Sequence, residues 1–288
     1  MTALVTSATP LLYPEPMRLI DRLQALYPEA SRRSLRQWLA TSRVRVNGVA
    51  VVRGDVEVDG NDRIALTTPA AADCPLSLIH EDDAVLLIDK PSGLLTIATE
   101  RERERTAYRL LRDWSAARGP RSSRLFIVHR LDRETSGLIV FAKSERTKEH
   151  LQAQFAARTA ERVYVALVEG VMAQSEGSLV SRLVEDRSLR VRAVERGDGK
   201  SAITRYRVLE RRRATTLLEL RLVTGRRAQL RAQLSAAGHP IVGDAQYGAG
   251  TDPLKRLALH ATRLAFVHPG GRRLSFESPM PPAFGRRL

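Results

Sequence analysis

Between residues 84 and 223 the chain passes through six apolar stretches of strand length, several of them following one another with no helix between. They are AVLLIDK (84–90), RLFIVHR (124–130), GLIVFAK (137–143), RVYVALVEG (162–170), TRYRVLE (204–210) and TLLELRLV (216–223). Parallel neighbours need a long, usually helical, crossover, whereas consecutive strands joined by turns pair antiparallel. The expected class is therefore α+β with a largely antiparallel sheet. A helix is expected over ERTKEHLQAQFAA (145–157), where Leu151 and Phe155 lie one turn apart. The charge run RERERTAYRLLRDW (101–114) reads as an exposed loop leading into a second helix.

A length of 288 residues accommodates one large domain and one small one. After a tail over 1–16, residues 17–66 read as a compact module. The stretch 67–77, TTPAAADCPLS, lacks periodicity and reads as a linker, and 78–288 reads as one larger domain without a second break. In the small module, Leu19, Leu23, Leu26 and Tyr27 recur at helical spacing until Pro28. Ser31 can cap a second helix whose apolar stripe is Leu35, Trp38 and Leu39, with Arg32, Arg33 and Arg36 on the opposite side. RVRVNGVAVV then reads as strand, Asn-Gly turn, strand. A basic helix beside a small hairpin is a suitable footprint for a phosphate backbone.

Hydrophobic residues make up 43% and charged residues 27%, the proportions of a folded globular protein. Lys and Arg outnumber Asp and Glu by 47 to 32, a formal net charge of +15. Such an excess favours a polyanionic partner, nucleic acid or an anionic membrane surface; the alternative is a merely solvated basic face. One cysteine, Cys74, excludes a disulfide framework. The start has neither a basic n-region nor a long apolar run, and no stretch approaches the ~20 residues of a membrane span. A cytoplasmic, soluble protein without a membrane partner is expected.

Several motifs fail. GDGKS (197–201) resembles the end of a phosphate-binding loop, but position 194 is Val where that loop needs Gly. None of the six histidines pairs with another at ligand spacing, so no metal is expected. The stretch that remains is IVHRLDRETSGLIVFAKS (127–144), in which Asp132 stands between Arg130 and Arg133. A carboxylate beside guanidinium groups stays ionised and can serve as base, nucleophile or cation stabiliser. The bland alternative is an aspartate that bonds backbone amides in its own turn. Glu134 raises a further reading, a carboxylate pair for glycoside hydrolysis.

His129 to Gly137, continuing into LIVFAKS, is similar to the catalytic motif of RluA-type pseudouridine synthases. DKPSGLLT (89–96), RVYVALVEG (162–170), TGRRAQLRAQLSAAGHPIVGDAQYG (224–248) and LALHATRLAFVHP (257–269) resemble further family segments in family order. The module at 17–66 resembles the RNA-binding domain named after ribosomal small-subunit protein four. The resemblance implies isomerisation of uridine in RNA, by breaking the uracil–ribose bond, turning the base and rejoining it through carbon. No cofactor is needed.

By motif position Asp132 is the nucleophile, attacking at the sugar or at the base. Arg130 helps extrude the target base. Tyr164 stacks on uracil and can assist proton removal, and Arg231 pairs with the nucleophile. Arg226, Arg227 and Gln229 are candidates for phosphate contact, as are Arg32, Arg33 and Arg36 in the small module. Three positions depart from the family pattern: Ala228 and Gln233 replace histidines, and Arg162 replaces a lysine. The expected partner is structured RNA, first ribosomal RNA of the large subunit and second transfer RNA, bound by a monomer. The rivals are an inactive RNA-binding assembly factor and a glycosidase acting on nucleosides or sugars.

Overall fold

The computed structural model describes residues 16–40, 43–66, 74–100, 102–118, 124–186, 190–195 and 197–285. The expected tail, apart from Pro16, and residues 67–73 of the expected linker lie outside the described residues. The chain divides into two compact units, Met1–Ala72 and Asp73–Leu288.

The first unit contains β1 (Met17–Arg18), α1 (Leu19–Leu26), α2 (Arg32–Ala40), β2 (Val44–Val46), β3 (Val49–Ala50), β4 (Glu57–Val58) and β5 (Ile64–Leu66). Its core is the expected stripe: Leu19 and Leu23 of α1 meet Leu35 and Leu39 of α2, closed by Val44 and Val58. The Ser31 hydroxyl accepts the Ser34 amide at 3.1 Å and so caps α2. Asn47 and Gly48 both take positive φ, 52° and 84°, the geometry that a two-residue hairpin turn requires. Arg32, Arg33 and Arg36 are exposed on α2, and Arg32 reaches Asp21 at 3.1 Å.

The second unit is built on one sheet. Its elements are β6 (Ser77–Glu81), β7 (Val85–Lys90), α3 (Ala107–Ala117), β8 (Phe126–Ile127), β9 (Ser136–Ala142), α4 (Glu145–Ala157) and β10 (Glu161–Glu169). They continue with β11 (Glu176–Glu185), β12 (Val191–Val194), β13 (Lys200–Arg211), β14 (Thr215–Leu222), α5 (Gln229–Ala236), β15 (Leu259–Val267) and β16 (Arg273–Glu277). The strand order is β12-β11-β13-β14-β10-β15-β9-β7-β6, with β16 on β15 and β8 on β9. Among these pairings only β9 with β15 is parallel; the rest are antiparallel. The sheet is thus largely antiparallel, as the strand-like runs that follow one another without a helix implied. No helix among the described residues is long and apolar enough to cross a membrane.

The continuous apolar runs of β7 and β9 reflect burial on both faces. Leu86, Ile88, Ile139 and Phe141 face one core with Leu111 and Trp114 of α3. Val85, Leu87, Leu138 and Val140 alternate to the other side, against Leu151 of α4. Ser144 and Thr106 cap α4 and α3 by accepting the amides three residues on.

Where β9 meets β15 the pairing covers only Ser136–Gly137 against His260–Ala261. Beyond that point β15 continues with β16 instead. At the crossing Gly137 has φ +112°, and a Cβ there would overlap the Ala261 carbonyl oxygen and lie 2.5 Å from its amide nitrogen. Only glycine fits so close an approach of two backbones. The expected strand over 124–130 shortens to β8, because after Ile127 the chain leaves the sheet and forms the loop that carries Asp132.

Candidate active site

The loop from Leu131 to Glu134 is held by its backbone, and the segment 90–96 does most of the holding. The Leu131 carbonyl accepts the Thr96 hydroxyl at 2.8 Å, and the Asp132 carbonyl accepts the Thr135 amide at 3.2 Å. The Arg133 carbonyl accepts the Gly93 amide and the Lys90 ammonium, at 2.9 and 3.1 Å. The Glu134 carbonyl accepts the Ser92 hydroxyl at 2.6 Å. Every carbonyl of the four residues therefore has a donor, so the position of Asp132 does not depend on its side chain. Lys90 is wholly buried and also donates to the carbonyls of Pro91 and Leu94. Burial, opposed by the charges of Glu134 and Asp132, lowers its pKa to about 8.

The Asp132 carboxylate, 27% exposed, makes no hydrogen bond among the described residues. The reading of a turn aspartate that caps its own backbone is thereby excluded. Its ion-pair partner is not Arg130 or Arg133, its neighbours in sequence, but Arg231 on α5, whose Nη1 lies 3.9 Å from Oδ2. Arg231 is itself gripped from behind. Asp244, almost fully buried, accepts from Nε and Nη2 at 2.7 Å each, and Gln246 accepts from Nη2 at 3.0 Å. The guanidinium also lies 4.6 Å over the Tyr247 ring. Burial alone would lower the Arg231 pKa, but the hydrogen bond and charge of Asp244, with a contribution from Asp132, raise it overall.

Asp132 opens into a cavity of about 510 Å³, with Tyr164 and Arg231 on its wall. Tyr164 sits on β10 and is 7% exposed. Burial pushes its phenol up to about 12; nearby Arg162 opposes this and Asp132 adds to it. It is a neutral hydroxyl at ordinary pH. A second cavity of about 260 Å³ shares Arg130, Asp132 and Arg231 with the first and extends along Leu95–Thr99. Arg130, Arg226 and Arg227 are exposed at the cavity wall, and Arg227 pairs with Glu185.

Glu134 lines neither cavity, so the carboxylate pair needed by the glycosidase reading does not form. Gln229 also departs from expectation. It is 2% exposed, and its carboxamide accepts from Thr224 and the Arg226 amide while donating to Ile203 and Thr204. All of its hydrogen-bonding capacity is spent inside the protein, which leaves none for a phosphate. Gln233, one of the two histidine replacements, is 3% exposed. It accepts from Thr204 and donates to Leu179, Ser181 and Ala202, stitching α5 to β11 and β13. The other, Ala228, takes φ +48° at the start of α5. Asp244, Tyr247 and Lys90 had no individual signal in the sequence beyond lying within family-like segments.

A family model of RNA pseudouridylate synthase matches residues 84–236, the span that carries Asp132, Tyr164 and Arg231. The chain belongs to the RNA pseudouridylate synthase family. This synthase is 33% identical to the ribosomal large subunit pseudouridine synthase D of Haemophilus ducreyi, over 93% of its own length and 88% of the relative's. It is 38% identical to the Xylella fastidiosa protein of the same description, over 86% and 80% of the two chains. The structure of human RNA pseudouridylate synthase domain containing 4 superposes on this synthase with a TM-score of 0.62. That alignment covers 75% of this chain and 92% of the human one at 24% identity, a likeness of fold.

Proposed function

We propose that the enzyme isomerises uridine in ribosomal RNA of the large subunit, with Asp132 as its nucleophile. The observation that carries the proposal is a carboxylate free of hydrogen bonds, fixed through its backbone and opened to a cavity rich in arginine. The names of the Haemophilus and Xylella relatives support the choice of RNA. Attack at the sugar and attack at the base make the same demands on the protein: an ionised carboxylate, a uracil held across it and a cavity that excludes bulk water. Arg231 aims Asp132, while Asp244 keeps Arg231 from closing fully onto it. Tyr164, neutral at working pH, serves first as a stacking platform for the extruded uracil. Arg130, exposed and without an ion pair among the described residues, is suited to fill the space the base leaves in the RNA.

The first unit is proposed to be the RNA-binding module that the sequence resembles, with Arg32, Arg33 and Arg36 directed at phosphates. Arg226 and Arg227 are proposed to meet the phosphates around the target nucleotide. The test is carbodiimide-based pseudouridine sequencing of total RNA from a strain lacking the gene, complemented with wild type or Asp132→Asn. Large-subunit sites that vanish on deletion and return only with wild type are the expected result. Sites confined to transfer RNA would replace the proposed substrate, and recovery by Asp132→Asn would remove Asp132 from the chemistry.

A further inference from the structure

The wall of the larger cavity carries six arginines, at positions 130, 158, 162, 226, 227 and 231, against a single carboxylate, Asp132. Arg231 and Arg227 have carboxylate partners. Arg130, Arg158 and Arg226 have none among the described residues, but they are exposed and water can solvate them. Arg162 is different. It is 9% exposed, and among the described residues neither a hydrogen bond nor a carboxylate meets its guanidinium. Its Nε is buried without any acceptor. What it has is the Phe155 ring, 5.3 Å from Cζ, and the bend at Gly225, where an added Cβ would overlap Nη1. A buried guanidinium without an anion is costly, and folded proteins rarely keep one without a use for it.

Arg162 and Tyr164 lie two residues apart on β10, both lining the same cavity, with their Cα atoms roughly 6.6 Å apart at strand rise. That spacing is of the order of the distance from a nucleobase to its own phosphate. The same cavity is lined by Phe155 and Ala156 near the end of α4 and by Arg158, its C-cap. We infer that Arg162 is the receptor for a phosphodiester group of the RNA adjoining the extruded uridine. The missing counter-ion is thus supplied by the substrate. The inference rests on this cavity being the uridine site, and it adds a residue whose charge is kept for binding at the expense of the free protein's stability.

The experiment compares the full-length wild type with Arg162→Met and Arg162→Lys. Thermal unfolding is measured without RNA, in buffer free of phosphate and sulfate and again with added inorganic phosphate. Arg162→Met keeps an apolar stem against Phe155 but removes the stranded charge, so its unfolding temperature should equal or exceed that of wild type. Added phosphate should raise the wild-type value by more than that of Arg162→Met. On an unmodified large-subunit ribosomal RNA transcript, the log–log salt slope of binding should be shallower in Arg162→Met by about 0.7 to 0.9, one phosphate contact. Its kcat/KM should fall about ten- to a hundredfold, with partial recovery in Arg162→Lys.

A lower unfolding temperature for Arg162→Met with an unchanged salt slope would make Arg162 a packing residue and overturn the inference. A loss of kcat/KM with an unchanged slope would assign it to a uracil carbonyl and overturn the phosphate. If wild type forms no pseudouridine on that transcript, the large-subunit reading fails. The inorganic-phosphate comparison then decides Arg162 alone: an equal phosphate response in wild type and Arg162→Met overturns the assignment.

Discussion

Replacing Asp244 with asparagine leaves the side chain its size and takes away the charge that holds Arg231. In the structure that carboxylate accepts two hydrogen bonds of 2.7 Å from the guanidinium, at side-chain exposures of 1% for Asp244 and 12% for Arg231. Removing one member of a buried pair costs about 3–5 kcal/mol. Asparagine retains one acceptor and Gln246 remains at 3.0 Å, so the lower end, about 3 kcal/mol, applies. For a unit of this size that is a fall of about 6–12 °C in the unfolding midpoint. Activity should fall further than stability alone requires. Without Asp244 the guanidinium has only Asp132 as a carboxylate partner, now 3.9 Å away, and closing that gap would lock Asp132 into a direct ion pair.

The assay combines thermal unfolding with single-turnover pseudouridine formation at a temperature where the variant is folded. Asp244→Asn is expected to lose at least about tenfold in rate, a little over 1 kcal/mol of barrier, with RNA binding retained. A cycle with Asp132→Asn isolates the coupling. In the Asp132→Asn background Arg231 has no second carboxylate, so the Asp244→Asn loss of stability should be larger there. A midpoint within about 2 °C of wild type, or equal losses in both backgrounds, would refute the assignment of Asp244 as the restraint on Arg231.

Gly137→Ala should unfold well below wild type or fail to fold, because the added methyl meets the Ala261 backbone and the native φ is +112°; circular dichroism melting measures it. Gln233→Ala leaves the acceptors at Leu179, Ser181 and Ala202 and the Thr204 hydroxyl without their partner, at about 2–3 kcal/mol by urea denaturation; a loss below about 0.5 kcal/mol would contradict that network. His129 stacks on Phe155, and burial, with the charge of Arg162, lowers its pKa from 6.5 to about 3. Between these values the unfolded chain binds the extra proton, so stability rises with pH through this window. It falls on acidification by at most about 1.4 kcal/mol per unit from pH ~6.5 down to ~3. His129→Phe should lack that part of the acid sensitivity, and an unchanged acid limb in urea denaturation would count against it.

The sequence alone determined the sheet and singled out Asp132 for local reasons. Val85–Ile88 and Leu138–Phe141 read as strands because both faces of each are buried, a condition visible as an unbroken apolar run. Asp132 stood out because its neighbours match a family pattern over consecutive residues. Asn47-Gly48 and Ser31 were legible because turn and cap chemistry is carried by the residues themselves. What failed depended on packing between distant segments. Gln229 looked like a surface polar group on a basic helix, and only the bend at Thr224 and the strand at Ile203–Thr204 turn its carboxamide inward. RLFIVHR shortened to Phe126–Ile127 because the loop beyond is drawn off by Lys90, Ser92 and Thr96, some forty residues earlier in the chain. Arginines 130 and 133 flank Asp132 in sequence, yet its ion-pair partner is Arg231, which only the family resemblance had named, and Asp244 fixes Arg231 in turn. An arginine's neighbours decide whether it is solvated, paired or stranded. Those neighbours are chosen by the tertiary fold, which is why Arg162, noted in the sequence only as standing where the family has lysine, becomes a buried charge that meets no anion among the described residues.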